Sequence, residues 1–234
     1  PEDLGLHPDG DLAPAGAGPH ARGPRAEEHV WTAREALRTP ALWLLLAAFS
    51  LAGTAVVGVV VHQIPYMQDK GFSATLAASA LTVYAVFGLL SKLLWGFLAE
   101  RLSIRLLAVV CFLGAAAGLL VLLGATAVWH IFAFALVYGI TRGAWSVVQS
   151  LAWADYFGRH FLGTIRGIVA PFNLVPQVGG PIFAAVVFDL RQSYELAFIV
   201  FVLAYVLGAL LMLLARPPRV PKGARGVAEA RPAL

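Results

Sequence analysis

Six apolar stretches, each long enough to cross a lipid bilayer, decide what this chain can fold into. They fall at about residues 40–64, 74–99, 104–124, 128–153, 167–188 and 194–215. At about 1.5 Å of rise per residue, helices of this length span the roughly 30 Å hydrocarbon layer of a membrane. Inside that layer every backbone N–H and C=O must be paired within the protein, so only helices or a closed barrel can cross it. A barrel would need many short alternating segments, which this pattern lacks. The expected fold is all-α and integral to the membrane, with six transmembrane helices. A hydrophobic share of 59%, a charged share of 13% and a mean hydropathy of +0.78 agree with that class.

The formal net charge of +4 does not describe a nucleic-acid surface, because the basic residues lie between and beyond the apolar stretches. Their distribution sets an orientation instead. Arginines from Arg22 to Arg38, then Arg101, Arg105, Arg159 and Arg166, then the basic residues from Arg216 to Arg231 put thirteen on one side. Lys70 and Arg191 alone fall on the other. Both ends of the segment are therefore expected in the cytoplasm, as six spans require. Residues 1–38, rich in Pro, Gly and Ala, read as a mostly disordered cytoplasmic linker ending in a short helix near 27–38. Residues 39–216 form the membrane domain and 217–234 a cytoplasmic tail. The chain opens at Pro1 without a secretory leader pattern and reads as a piece of something longer. Cys111, a single cysteine in an apolar run, supports no disulfide framework and reads as packing.

Two cations interrupt the apolar stretches: Lys92 in the second and Arg142 in the fourth. Each costs about 2.5–3.5 kcal/mol near the middle of a bilayer, so an idle one is hard to explain. Lys92 lies eight residues before Glu100, about 12 Å deep, and its side chain leans away from that end of the helix. Arg142 is near the centre of its stretch and reaches neither surface readily. Both point to an anionic solute held in a polar cavity; a structural pair or a hydrogen bond between helices is the alternative at each.

Other polar residues fall in the same stretches. The first ends in His62 and Gln63, the second holds Tyr84, the fourth adds Ser146 and Gln149, and the fifth has Asn173 and Gln177. Residues 142, 146, 149 and 153 share one helical face, as do 173 and 177. Four helices would line one cavity, while the third and sixth, almost without polar residues, would face lipid. His62, near the outer end, reads better as a link between helices. Pro171, Pro176 and Pro181, with Gly179 and Gly180, make the fifth helix one that can flex. Gly139 with Gly143, and Gly88 with Gly96, would let backbones approach closely. Neither metal nor cofactor is expected. No His-Glu-x-x-His, nucleophile elbow or acidic pair at membrane depth suggests an enzyme.

After the second stretch the sequence reads Gly96-Phe-Leu-Ala-Glu100-Arg101-Leu-Ser-Ile-Arg105, which resembles the loop signature of the major facilitator superfamily. Glu100 replaces the usual Asp, Ser103 a common Gly and Ile104 a common base. The opening Pro-Glu-Asp-Leu-Gly-Leu-His-Pro-Asp-Gly is similar to the central loop before the seventh helix of such carriers. The resemblance implies the C-terminal half of a twelve-helix carrier, partnered by an N-terminal six-helix half of the same polypeptide. Within the superfamily, the monocarboxylate transporter and oxalate/formate antiporter groups look most similar. They carry a cation four residues before the signature glycine, the place of Lys92 relative to Gly96. Some put an acid one turn earlier, where Gly88 stands here. The run Asp155-Tyr-Phe-Gly158-Arg159 resembles the loop after helix ten.

These features imply secondary transport of a small organic anion, such as a monocarboxylate, across the cell membrane by alternating access. Lys92, Arg142, Gln149, Asn173, Gln177 and Tyr84 are the candidate solute contacts. Gly96, Glu100, Arg101, Arg105, Asp155 and Arg159 are candidates for an inner gate. A carrier of another solute class, or a non-transporting receptor on the same fold, stays open.

Overall fold

The computed structural model describes residues 31–158 and 162–218, and all regular structure among them is helical. A short α1 (Ala33–Leu37) precedes α2 (Pro40–Asp69), α3 (Ala74–Ala99), α4 (Ile104–Leu123), α5 (Val128–Phe157), α6 (Leu162–Arg191) and α7 (Glu195–Leu214). All but α1 are long and apolar enough to cross a membrane. Local sequence starts them cleanly. The hydroxyls of Thr39, Ser73 and Ser103 accept from the free N–H groups at the starts of α2, α3 and α4, and Pro40 occupies the first turn of α2 where no N–H is needed. Thr32 and Glu35 cap α1 reciprocally, and α1 is the only part of the expected 27–38 helix among the described residues. Gly71, at φ 88°, ends α2 in the left-handed conformation and turns the chain into α3.

Three helices differ in length from expectation: α2 continues to Asp69, α5 to Phe157, and α6 spans Leu162–Arg191. The extra turns carry polar residues that a hydropathy argument trims but that a helix end near a headgroup layer tolerates. Tyr156 shows why α5 persists: its hydroxyl donates to the Ala215 carbonyl at 2.6 Å, tying the end of α5 to the end of α7. Lys70 does the same at the opposite end. Its ammonium donates to the Leu123 carbonyl at 2.7 Å, an acceptor that the last turn of α4 leaves free, and lies 5.3 Å from the Tyr66 ring.

Helix packing has an internal symmetry. Exchanging α2, α3 and α4 for α5, α6 and α7 preserves the pattern: α3 packs along α5 as α6 packs along α2, α4 lies on α5 as α7 lies on α2, and α4 and α7 lie on each other. Three is odd, so the second triplet enters from the opposite face, giving an inverted repeat. A core of aromatic residues, including Phe49, Phe112, Phe134, Tyr138, Phe201 and Tyr205, fills the space between α2, α4, α5 and α7. The α3 and α6 helices stand on the other flank. Only 17% of the central window of each is buried, against 44–56% for the other four, so both present broad open faces.

Association in lipid gains little from apolar burial and depends on close contact and hydrogen bonds. At the α3–α5 seam a side chain on Gly139 would reach within 2.6 Å of the Tyr84 carbonyl oxygen, and one on Gly143 would collide with Ser91 Oγ and the Gly88 carbonyl. At the α2–α6 seam one on Gly180 would collide with the Thr54 carbonyl. Gly96 does not join this set, since nothing lies within 4 Å of where its Cβ would be. The α6 prolines add a second constraint. Pro176 has no N–H to offer the Phe172 carbonyl, and Ser50 of α2 donates to that carbonyl at 3.3 Å. His62 of α2 donates through Nε2 to the Pro181 carbonyl at 3.1 Å and stacks on Tyr194, a link between helices as expected.

Gly143→Val should cost about 1–3 kcal/mol through forced separation of α3 and α5, read as a lower melting temperature in detergent. Gly179→Ala, with open space around it, should stay within about 0.5 kcal/mol of the native protein. Ser50→Ala should cost about 1 kcal/mol and raise deuterium uptake in α6 peptides while α4 and α7 peptides stay unchanged.

Candidate solute site

Side chains from α3, α5 and α6 meet the bare backbone of α2 beside the middle of α5. Arg142 is half-buried, and its Nε is fully buried with no hydrogen bond among the described residues. The Tyr84 phenol of α3 lies next to its guanidinium. Trp145, one turn along α5, shares that face. Gln177 of α6 approaches from the far side. A Cβ on Gly53 of α2 would sit 3.2 Å from Gln177 Cγ and 3.7 Å from the Trp145 ring, so the bare backbone at Gly53 is what lets α2, α5 and α6 converge. The Arg142 cation has no ion pair, and no acidic cluster able to hold a metal occurs among the described residues. Low polarity around an unpaired guanidinium strengthens its attraction for an anion relative to water, and its planar fork matches both oxygens of a carboxylate.

The remaining candidates fall unevenly around this cluster. Gln149, two turns beyond Arg142, is half-buried with no hydrogen bond to the described residues, and Ser146 between them is exposed. Trp153 leaves the polar stripe: it is buried, stacks near Phe157 and Phe49, and belongs to the core. Asn173 is engaged on the α2–α6 seam. Its Nδ2 donates to the Val169 carbonyl at 3.2 Å, and its Oδ1 lies 3.5 Å from Ser50 Oγ. Lys92 is exposed. It follows Ser91, which faces α5, and precedes Leu93, which is 81% exposed, so it stands at the margin of the α3 packing face. No hydrogen bond, ion pair or ring contact joins it to Arg142 or to any other described residue.

The gate candidates fall at the ends of α3 and α5 and the start of α4. Glu100, Arg101 and Asp155 are exposed, Arg105 and Gly96 are half-buried, and Arg159 lies outside the described residues. Arg101 lies over the Phe97 ring at 4.0 Å. None of these charges forms an ion pair among the described residues.

Sequence patterning missed the far wall. A cavity behind Arg142 is lined by Cys111 and Ala115 of α4, Val56 of α2, Tyr205 of α7, and Tyr138, Thr141 and Trp145 of α5. Thus α4 and α7 do not merely face lipid; α4 sends two residues and α7 one to the cavity behind Arg142. Tyr138 and Tyr205 share a hydrogen bond at 2.8 Å, and Cys111 Sγ donates to the Thr141 carbonyl at 3.3 Å. Tyr138 was legible, one turn before Arg142 on the same helix. Tyr205, a lone phenol in the most apolar helix, carried no signal.

Comparison with known proteins gives the family. Residues 43–234 match the Major Facilitator Superfamily model. Monocarboxylate transporter 12-B of Danio rerio is 25% identical over 181 residues, 75% of this chain and 38% of that protein. Monocarboxylate transporter 12 of Rattus norvegicus is 26% identical over 156 residues, 65% of this chain and 32% of that protein. The chain thus spans well under half the length of the curated relatives it matches. With six membrane-spanning helices in an inverted repeat and a family match over most of its length, this chain belongs to the major facilitator superfamily.

Proposed function

We propose that the protein is the C-terminal half of a secondary active carrier for a small organic anion, with Arg142 as the principal anchor in this half. The observation that carries it is a guanidinium with no counter-ion among the described residues, where α2, α3, α5 and α6 converge. Such a cation is expensive to leave idle in a membrane, and a carboxylate offsets that cost on binding. Similarity to proteins named monocarboxylate transporters supports the same solute class.

In this mechanism a carboxylate enters between the two halves and accepts hydrogen bonds from Arg142 and the Tyr84 hydroxyl. Lys92 supplies a second positive charge from the α3 margin. Gln149 and Gln177, whose amides are uncommitted, solvate the rest of the molecule, and Asn173 shapes the α6 wall beside them. The open faces of α3 and α6 meet the N-terminal half, and the halves rock about the site. The arginine-rich end lies in the cytoplasm. There Glu100, Arg101, Arg105, Asp155 and Arg159 close against the other half, Gly96 leaving room for the approach. No Asp or Glu lies at mid-membrane in the six spans, so a carboxylate proton carrier, if the cycle uses one, comes from the other half.

The test is counterflow of labelled lactate, pyruvate or oxalate in vesicles containing the full-length carrier. Arg142→Gln and Lys92→Gln should each abolish exchange while membrane expression stays normal. Unchanged exchange in Arg142→Gln refutes the assignment. Saturable binding without exchange in the native protein would make it a receptor, and exchange only of uncharged solutes would make it a carrier of another class.

A further inference from the structure

Three phenols run from the core to the solute site. Tyr138 of α5 and Tyr205 of α7 are 1% and 2% exposed, and their hydroxyls share a hydrogen bond at 2.8 Å. A phenol buried this deeply is costly without a partner, so the bond ties the two side chains to one arrangement. Their rings meet edge to face, with centroids 6.3 Å apart at 74°. Tyr138 in turn lies nearly parallel to Tyr84 of α3, with centroids 5.9 Å apart at 22°, and to Phe134 one turn back on α5, 5.3 Å apart at 23°. Both separations are those of offset-stacked rings. Tyr84 is half-buried, and its phenol is the one beside the Arg142 guanidinium.

The Tyr84 backbone is placed separately. A Cβ on Gly139, the residue after Tyr138, would come within 2.6 Å of the Tyr84 carbonyl oxygen and 3.1 Å of its Cα. That contact fixes where the side chain begins and leaves the ring's own rotation, which is broad for a tyrosine, to be set by its neighbours. We propose that Tyr138, pinned by Tyr205, is the positioning residue for the Tyr84 hydroxyl at the solute site. Through this stack α7, which contributes no solute contact of its own, decides where a hydroxyl of α3 stands relative to the cation of α5. A donor already aligned loses less freedom when it closes on a carboxylate oxygen, so the effect falls on affinity. The consequence for transport rests on the solute roles assigned to Tyr84 and Arg142 above; the ring alignment does not.

The test uses the full-length carrier in nanodiscs with 3-fluorotyrosine at position 84 alone, read by ¹⁹F nuclear magnetic resonance. The native protein should give one narrow line. Tyr138→Leu, which deletes the ring, and Tyr205→Phe, which keeps every ring and removes the clasp, should each shift, broaden or split it. A line unmoved in both variants overturns the proposal. Combining Tyr138→Phe with Tyr205→Phe separates positioning from stability. With both hydroxyls gone no buried phenol is left unpaired, so the melting temperature should return close to native while the line stays altered. In counterflow of labelled lactate, pyruvate or oxalate, whichever the native protein exchanges, Tyr205→Phe and the double variant should raise KM about threefold with Vmax retained, part of what one neutral hydrogen bond contributes. KM recovering together with the melting temperature makes Tyr205 merely structural and overturns its role. Tyr84→Phe has no hydroxyl to place, so Tyr205→Phe added to it should raise KM no further, and an equal penalty in both backgrounds also overturns the positioning role. Exchange unaltered in Tyr84→Phe sinks the solute role of Tyr84 and leaves the fluorine line to decide the alignment.

Discussion

Backbone contact between helices is the constraint on which the rest of this molecule depends. In lipid the apolar side chains of α3 and α6 gain nothing by choosing a protein neighbour over an acyl chain, so these helices are held by what only close approach can offer. Gly139 and Gly143 let α3 press its carbonyls against α5, and Gly180 does so for α6 against α2. Wherever the seams close, polar side chains find partners across them: Trp95 donates to the Ile140 carbonyl at 2.8 Å, and Ser50 to Phe172. Held this way on one edge only, α3 and α6 keep their other surfaces open. The site and its openness therefore share one cause.

A single hydrophobic rule does not describe the two flanks. Between α2, α4, α5 and α7 the packing is aromatic, with Phe49 and Phe112 ring centroids 5.8 Å apart and Phe201 seated where Gly58 lacks a side chain. This aromatic side supports α5 from behind, while its front bears the candidate site residues. A helix whose back is locked into a core can hold a cation at mid-membrane more accurately than one held on a single seam. Lys92, on the lightly held α3, lacks that support.

Most of the fold was legible because membrane thickness and backbone pairing leave so few options: the six spans and their ends at Ala74, Ala99, Ile104 and Val128 follow from hydropathy and capping residues. The site was legible in part. Arg142 announced itself by its cost, and Tyr84 and Gln177 by their place on helices that also carried other polar residues. Tyr205, Cys111 and Thr141 did not, because periodicity assigns faces within one helix and says nothing of which helix a face meets. Asn173 has a further engagement that spacing does not show. Its spacing from Gln177 is correct, but proline leaves α6 with carbonyls to satisfy, and a polar residue on that seam is drawn into backbone repair.

The inverted repeat has an electrical consequence. It pairs Gly143, which faces α3, with Thr54, which faces Gly180 of α6, and so sets Arg142 opposite Gly53. One symmetry mate is a cation and the other has no side chain at all. A geometrically balanced chamber thereby acquires a lopsided field, with the cation against one wall and uncharged packing of Gln177 and Trp145 on Gly53 at the other. On the proposed carrier reading, an elongated anion would lie with its charged head to α5 and its neutral end toward α2.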